Sequence, residues 1–397
     1  MKKWKAYLRA DGSKGIRNRL LVIYTVLCAR HAAERIVSAF DGWAELVGFD
    51  GCTDNAYAQR VLEALCTHPN VGAVLAVGLG CEYLQPSRFA AVAEESGRPA
   101  RWLSIQEEGG TLPSVLQGRQ YAGKLLKVLT KTPLCEMGPE ELVIGAECGG
   151  SDATSGLAGN LVTGALFDRM GDMGARVVFE EIVEAIGLRE QLCSRAADAG
   201  ASAALSHTYD KALDYCRSVG QFSVSPGNFA GGLSSIEEKS MGAVVKSGTR
   251  PIQGVLKVTQ RPPRSGLWLL DTTPDPSSVQ YGITNPNDNE GLTALAASGC
   301  HISLLVTGRG NVIGNAVTPI IKVTGNSNTF CRMAGDMDFD ASPILRNELL
   351  PEEMTDKLFE LVCATASGQQ VKAELTGHRE WYIPYKYQNF TCREQKE

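Results

Sequence analysis

Between Leu20 and Gln106 the chain alternates short β-branched runs with amphipathic stretches of helix length, and no other feature constrains its fold as tightly. The runs LLVIYTV, AELVGF, VGAVLAVG and RWLSIQ are separated by ARHAAERIVSAF, AYAQRVLEALCTH and SRFAAVAEESG. Strands that are apolar on both faces must be covered on both faces, so the pattern predicts a parallel sheet flanked by helices. A first α/β domain is expected over residues 1–133. The stretch KTPLCEMGPE, with Pro133, Gly138 and Pro139, reads as its boundary. A second unit is expected over 134–397, opening with strand ELVIGA, a glycine-rich loop, helix NLVTGALFDRMGDMG and strand ARVVFE. The fold class is therefore α/β with two Rossmann-like parallel-sheet units, the second carrying long glycine-rich site loops.

Length and charge narrow the function. At 397 residues the chain is long enough for two or three cores of ordinary size. Its 39 basic residues against 44 acidic ones give a net charge of -5 with no basic block, which removes the electrostatic footprint of a nucleic-acid binder. The longest apolar run, Leu20 to Ala29, is about half of what a bilayer span needs. The opening MKKWKAYLRADG has no apolar signal core, so a cytoplasmic protein with a small-molecule partner is expected. None of the twelve cysteines forms a CxxC pair, and free thiols are expected.

Four cysteines share one context. Cys28, Cys52, Cys81 and Cys148 each follow a strand-like run, where side chains from different strands of an α/β sheet can converge. Soft thiolates at such a place suit iron or zinc, and Fe²⁺ can act as a Lewis acid on a leaving hydroxyl. Small hydrophobes at tight strand ends would give the same sequence pattern.

Three further blocks carry chemistry. In ECGGSDATSGLAGN, the amides of Gly149, Gly150 and Ser151 can present N–H groups to a carboxylate, with Asp152 beside them as a candidate catalytic group; a plain capped turn is the alternative. In VVFEEIVEAIG, Glu180, Glu181 and Glu184 can bind a cation or exchange protons, or simply start a helix, and Glu181 and Glu184 share a face if helical. In PGNFAGGLSSIEEKSMGAVVKSG, Asn228 and Ser247 are candidate substrate contacts, and Lys239 or Lys246 is a candidate base for a proton α to a carboxylate. Arg309 in TGRGN is suited to a bidentate carboxylate grip. No HExxH or GxSxG is present, which argues against zinc and serine hydrolases.

Taken together and in order across residues 9–340, these blocks resemble the altronate/galactarate dehydratase family, specifically its large catalytic portion. The motifs that carry the resemblance are RADGSKGIRNRLLVIYTVLCA, VGAVLAVGLGCEYLQP, ECGGSDATSG, FEEIVE, SPGNFAGGLSSIEEKSMGAVVKSG, TGRGNVIG and TPIIKVTGN. The resemblance implies a lyase that eliminates water from a sugar acid to give a 2-keto-3-deoxy acid, with Fe²⁺ or another divalent metal such as Mn²⁺. Two departures stand out. Gly48 of GFDGC occupies a position where family members carry histidine, and the small β-rich domain that opens the full-length enzymes is missing here, which implies a separate small subunit. That split layout is similar both to two-subunit altronate dehydratases and to the sulfo-lyase that eliminates sulfite from sulfolactate. A non-catalytic ligand-binding subunit is the alternative of another class. A homo-oligomer is expected from size alone.

Overall fold

The computed structural model describes residues 2–53, 55–219, 226–275 and 287–386. Before residue 133 lie β1 (Trp4–Leu8), β2 (Lys14–Gly15), β3 (Arg19–Tyr24), β4 (Ala44–Gly48), β5 (Val71–Gly78) and β6 (Ala100–Ser104). After it come β7 (Leu134–Met137), β8 (Val143–Cys148), β9 (Arg176–Phe179), β10 (Ile252–Lys257) and β11 (Gly266–Asp271). The last three are β12 (Ile302–Val306), β13 (Ile320–Thr324) and β14 (Phe339–Asp340).

The α/β expectation holds. One parallel sheet runs β4-β3-β5-β6, and a second, seven-stranded and also parallel throughout, runs β10-β11-β9-β8-β12-β13-β14. The apolar runs explain the choice: β5 is buried at all eight positions and β8 at all six, which only a sheet covered on both faces permits. Each fully buried Leu, Ile or Val contributes about 1.5–3 kcal/mol.

Two features were not legible as a pattern. The segment read as a boundary contains β7, which pairs antiparallel with β1, while β2 pairs with β1's other edge. With four residues, of which three are exposed or half-buried, β7 has no apolar periodicity to announce it. The second feature is a shared core. Leu21, Ile23, Val47 and Val74 of the four-stranded sheet belong to one apolar cluster with Val143, Val178, Trp268 and Leu270 of the seven-stranded sheet. Helices Ala56–Cys66 and Asp288–Ala297 lie within it.

The chain's last described segment straps the two sheets together. Glu374 accepts from Arg17 and Arg19 at 2.8 Å each, and Trp381 donates from Nε1 to the Gly48 carbonyl at 3.1 Å. Tyr385 stacks on Phe49 with ring centroids 6.5 Å apart. Lys386 Nζ lies 4.7 Å from the centre of the Tyr57 ring and 2.5 Å from Glu290. Among the described residues no helix is long and apolar enough to cross a membrane.

Candidate active site

In the seven-stranded sheet β8 has β9 on one side and β12 on the other, so the chain's connections leave in opposite directions between β8 and β12. Such a switch point opens a crevice at the carboxyl ends of the strands. The loops after β8 and β12 meet there, with Arg309 N donating to the Gly150 carbonyl at 2.9 Å.

Glycines let a helix close one side of the crevice. A Cβ on Gly156 would stand 2.9 Å from Gly242 Cα, and one on Gly164 would stand 2.2 Å from the Val245 carbonyl oxygen. Asn160 Nδ2 also donates to Gly242 O at 2.9 Å. The backbone of helix Ile236–Val245 therefore lies directly on the segment that follows β8. That helix starts at Ser235, whose Oγ accepts from Glu238 N at 3.2 Å, while the Glu238 carboxylate accepts from Ser234 N at 2.7 Å. Glu237 and Glu238 thus belong to the helix start. Lys239 and Lys246 are carried inward.

Both lysines meet the two glutamates picked out in the sequence. Glu181 adopts a left-handed backbone (φ 79°), and Glu184 lies in the 3-10 turn Ile182–Ala185. Three residues per turn places positions three apart on one side, so both carboxylates face β8. Lys246 pairs with Glu181 and Lys239 with Glu184, all four side chains being less than a tenth exposed. Cys148 sits between the pairs: its amide donates to Glu181 at 2.8 Å, its thiol lies 3.1 Å from Glu184 Oε2, and Lys246 Nζ is 3.2 Å from its sulfur. Burial, and then the charge of Glu184, push the Cys148 thiol up to about 12, so it stays protonated and donates. Burial disfavours charge on Lys239, but Glu184 alongside outweighs it and holds the lysine above its ordinary value. A lysine in that state is an ammonium ion at neutral pH, not a free base.

Of the acids behind this centre, sequence reasoning picked out Glu180 beside Glu181 and Glu184, but not Glu147 or Asp288. Glu147, the neighbour of Cys148 in β8, is raised by burial and by Glu180 beside it, and Glu180 is raised by burial as well. Two buried carboxyls in contact share a proton. Glu180 is bonded by Thr272 Oγ1, and the Thr272 carbonyl accepts from Lys386, which extends the polar network to Glu290. Asp288, at the start of helix Asp288–Ala297, is pushed up to about 6 by burial and by Glu184's charge. Glu147 was hidden because it lies at the end of an apolar strand; a carboxylate in an otherwise apolar run was the available signal. Asp288 and Lys386 come close only through tertiary structure.

The remaining candidates divide. Asp152 is buried, and its carboxylate accepts from Thr154 N at 2.8 Å, Thr154 Oγ1 at 2.6 Å and Asn326 Nδ2 at 3.0 Å, which makes it the organiser of the β8 loop. Gly149 N donates to Val306 O at 3.0 Å, whereas the amides of Gly150 and Ser151 have no acceptor among the described residues. Asn228 is buried and donates to Ser151 O at 3.0 Å, and Ser247 Oγ accepts from Arg195 at 2.8 Å. Both therefore hold loops in place. Arg309 is exposed, and its guanidinium has no ion-pair partner among the described residues. A cavity of about 320 Å³ is lined by Ser151, Asp152, Asn160, Lys239 and neighbouring residues, so Lys239 has an open approach.

The four cysteines do not assemble into one site. Among the described residues the one group of three with metal-ligand geometry is Cys148, Glu181 and Glu184, whose ligand atoms lie within 4.8 Å of one another. This buried set could hold a metal. Sulfur and carboxylate oxygen suit a divalent transition ion, which would take over the charge compensation that the lysines provide. Cys28, Cys52 and Cys81 are exposed and follow strands of the other sheet. Gly48, where histidine was expected, is packed against Tyr24: a Cβ there would lie 2.3 Å from the tyrosine ring.

Two family models match the chain. Residues 6–130 match the family model described as D-galactarate dehydratase/Altronate hydrolase, second domain, and residues 139–389 match D-galactarate/Altronate dehydratase, C-terminal. Among curated relatives, the chain is 30% identical to (2R)-sulfolactate sulfo-lyase subunit beta of Chromohalobacter salexigens, over 96% of this chain and 97% of that protein. It is 28% identical to altronate dehydratase of Escherichia coli, over 95% of this chain and 76% of the relative. For galactarate dehydratase (L-threo-forming) of Escherichia coli the figures are 31%, 92% and 73%.

Proposed function

The chain belongs to the D-galactarate/altronate dehydratase family, and on that premise we propose that it is the large, catalytic subunit of a lyase that removes water from a sugar acid. The observation that carries the reading is the pair of carboxylate–ammonium contacts around Cys148, set at a switch point beneath a cavity. A β-elimination needs a base at one carbon, charge stabilisation on the adjoining carboxylate and a proton for the leaving hydroxyl.

Each need has a candidate. Arg309 and the free amides of Gly150 and Ser151 grip the substrate carboxylate. The Glu184 carboxylate takes the proton from C2, and the electron pair moves onto the carboxyl group as an enediolate facing the Lys239 ammonium. The pair then forms the C2=C3 bond as the C3–O bond breaks. The departing hydroxyl takes its proton from Asp288, whose value near 6 suits a general acid, and leaves as water. The enol gains a proton at C3 and becomes the 2-keto-3-deoxy acid. Lys246 holds Glu181 and Cys148 in register. The role of base, assigned to lysine on sequence grounds, thus moves to the carboxylate each lysine accompanies.

A divalent ion, Fe²⁺ or Mn²⁺, held by Cys148, Glu181 and Glu184, would supply Lewis acidity toward the leaving hydroxyl. The proposed partner is a separate small β-rich subunit, as the name of the sulfo-lyase subunit beta suggests for that relative. Site loops belong to the unit we place at 134–397.

A second reading has its own support. The chain spans 97% of the sulfo-lyase subunit but 73–77% of the dehydratases, so elimination of sulfite from sulfolactate stays in contention. An anaerobic screen with metal and small subunit, against altronate, galactarate and sulfolactate, tests both. Keto acid from a sugar acid supports the dehydratase; sulfite from sulfolactate supports the second reading. Binding without turnover of any of them overturns both.

A further inference from the structure

Cys28, Cys52 and Cys81 lie just beyond the carboxyl ends of β3, β4 and β5, and these three strands are immediate neighbours in the order β4-β3-β5. Neighbouring strands stand about 4.8 Å apart, so the three loops that carry these cysteines leave from one stretch of the sheet edge. The three loops are tied to one another. Leu27 N donates to Asp50 O at 3.4 Å, joining the Cys28 loop to the Cys52 loop, and Tyr83 N donates to Cys52 O at 3.0 Å, joining the Cys52 loop to the Cys81 loop. Buried Glu82 closes the triangle: its carboxylate accepts from Thr25 Oγ1 at 2.5 Å, Leu79 N at 3.0 Å and Gly80 N at 2.7 Å.

Packing does not account for these cysteines. A free cysteine is ordinarily among the most buried residues, as Cys66 and Cys300 are here. Cys28, Cys52 and Cys81 are all exposed, and their thiols have no partner among the described residues. The turn before Cys81 is built for purpose. Gly80 has φ +130°, and a Cβ there would lie 2.6 Å from Gln106 Oε1 and 2.8 Å from Ser104 Oγ. Cys28 sits in the first turn of helix Leu27–Val37, which has no side-chain cap and no acidic residue in that turn.

Spacing distinguishes the kinds of centre such thiols can hold. Around a single zinc or iron ion, ligand sulfurs approach within about 4 Å of one another. The three sulfurs do not all come within 4.8 Å, since they form no such group. Thiolates that each hold a different iron of one cluster stand wider. We infer that Cys28, Cys52 and Cys81 ligate an iron–sulfur cluster of the four-iron type, with three irons bound by cysteine and the fourth open to a further ligand. An open iron at the carboxyl edge of a parallel sheet is placed where a hydroxyl or carboxylate ligand binds.

The inference stands apart from the choice of reaction, and its test reads the centre directly. Full-length protein is purified without oxygen from iron-replete cells and analysed for iron and acid-labile sulfide, with electron paramagnetic resonance before and after dithionite. The expected result is about four acid-labile sulfides per chain, with about four irons beyond any ion held at Cys148, Glu181 and Glu184. Cys28→Ala, Cys52→Ala and Cys81→Ala should each lose the sulfide and the iron that accompanies it, while Cys331→Ala, exposed elsewhere, keeps them. Circular dichroism and thermal unfolding confirm that the variants fold. Iron without sulfide, zinc in place of iron, metal-free protein, or full cluster content in the folded cysteine variants each overturns the proposal.

Discussion

Gly164→Ala tests whether the close approach of two helices, and not merely the presence of Lys246, sets the catalytic geometry. The new methyl would lie 2.2 Å from the Val245 carbonyl oxygen and 2.9 Å from Gly248 N. A carbon and a carbonyl oxygen come no closer than about 3.3 Å, so the end of helix Ile236–Val245 must retreat by about 1 Å. Overpacking of this kind costs about 1–3 kcal/mol, and the better helix propensity of alanine returns up to roughly 1 kcal/mol of it. Lys246 is the next residue after the displaced carbonyl, and a 1 Å misplacement in a catalytic centre lowers turnover about 100-fold. The expected outcome is a modest loss of stability in urea titration with a far larger loss of kcat, KM changing little. Gly171→Ala is the control: it lies in the same helix, nothing stands within 4 Å of its added methyl, and stability should rise by roughly 0.5–1 kcal/mol with kcat unchanged. Wild-type kcat in folded Gly164→Ala would refute the reasoning, because the helices would then separate without moving the lysine.

Asp288 is raised in the fold from 3.8 to about 6, so the native state binds more protons than the unfolded chain between those values, and stability falls as pH rises through that window. Asp288→Asn should therefore gain up to about 3 kcal/mol at pH 8, flatten the pH dependence of unfolding between 4 and 6, and lose turnover; an unchanged pH profile of stability would contradict the assignment. Arg309→Ala should raise KM by roughly 10- to 100-fold, in keeping with the loss of a charged hydrogen bond, while the urea midpoint barely moves. Lys386→Met should destabilise by about 3–5 kcal/mol, since Glu290 is left buried without its counter-charge, and the Glu290→Gln/Lys386→Met double variant should recover part of that loss in the same titration.

Apolar periodicity made the sheets readable, because β3, β5 and β8 must be covered on both faces wherever they occur. β7 escaped notice because its short, largely exposed run has no period of its own. Within the site, Glu181, Glu184, Lys239 and Lys246 were legible from residue type beside glycine turns, but their pairing was not. That pairing depends on Gly156 and Gly242 meeting across sequence, and it sets each lysine against a buried carboxylate. The cysteines were legible as strand-end residues, yet strand order alone decides which of them are neighbours. β4, β3 and β5 adjoin, while β8 belongs to the other sheet. Glu147 and Asp288 matter through burial, which no single residue type declares.

The strap that carries Trp381 and Lys386 also imposes an order on how the protein is made. A ribosome delivers the four-stranded sheet first, and its parallel strands, all drawn from residues before 133, can pair while the remainder is still unsynthesised. Glu290 emerges nearly a hundred residues ahead of Lys386 (|i−j|=96), and until that lysine arrives the carboxylate cannot be buried without a counter-charge. The same late segment caps the Gly48 end of the early sheet. A nascent chain halted before residue 386 should thus hold a folded front half and an unfinished second half, so that the proposed site is completed only in the last moments of translation.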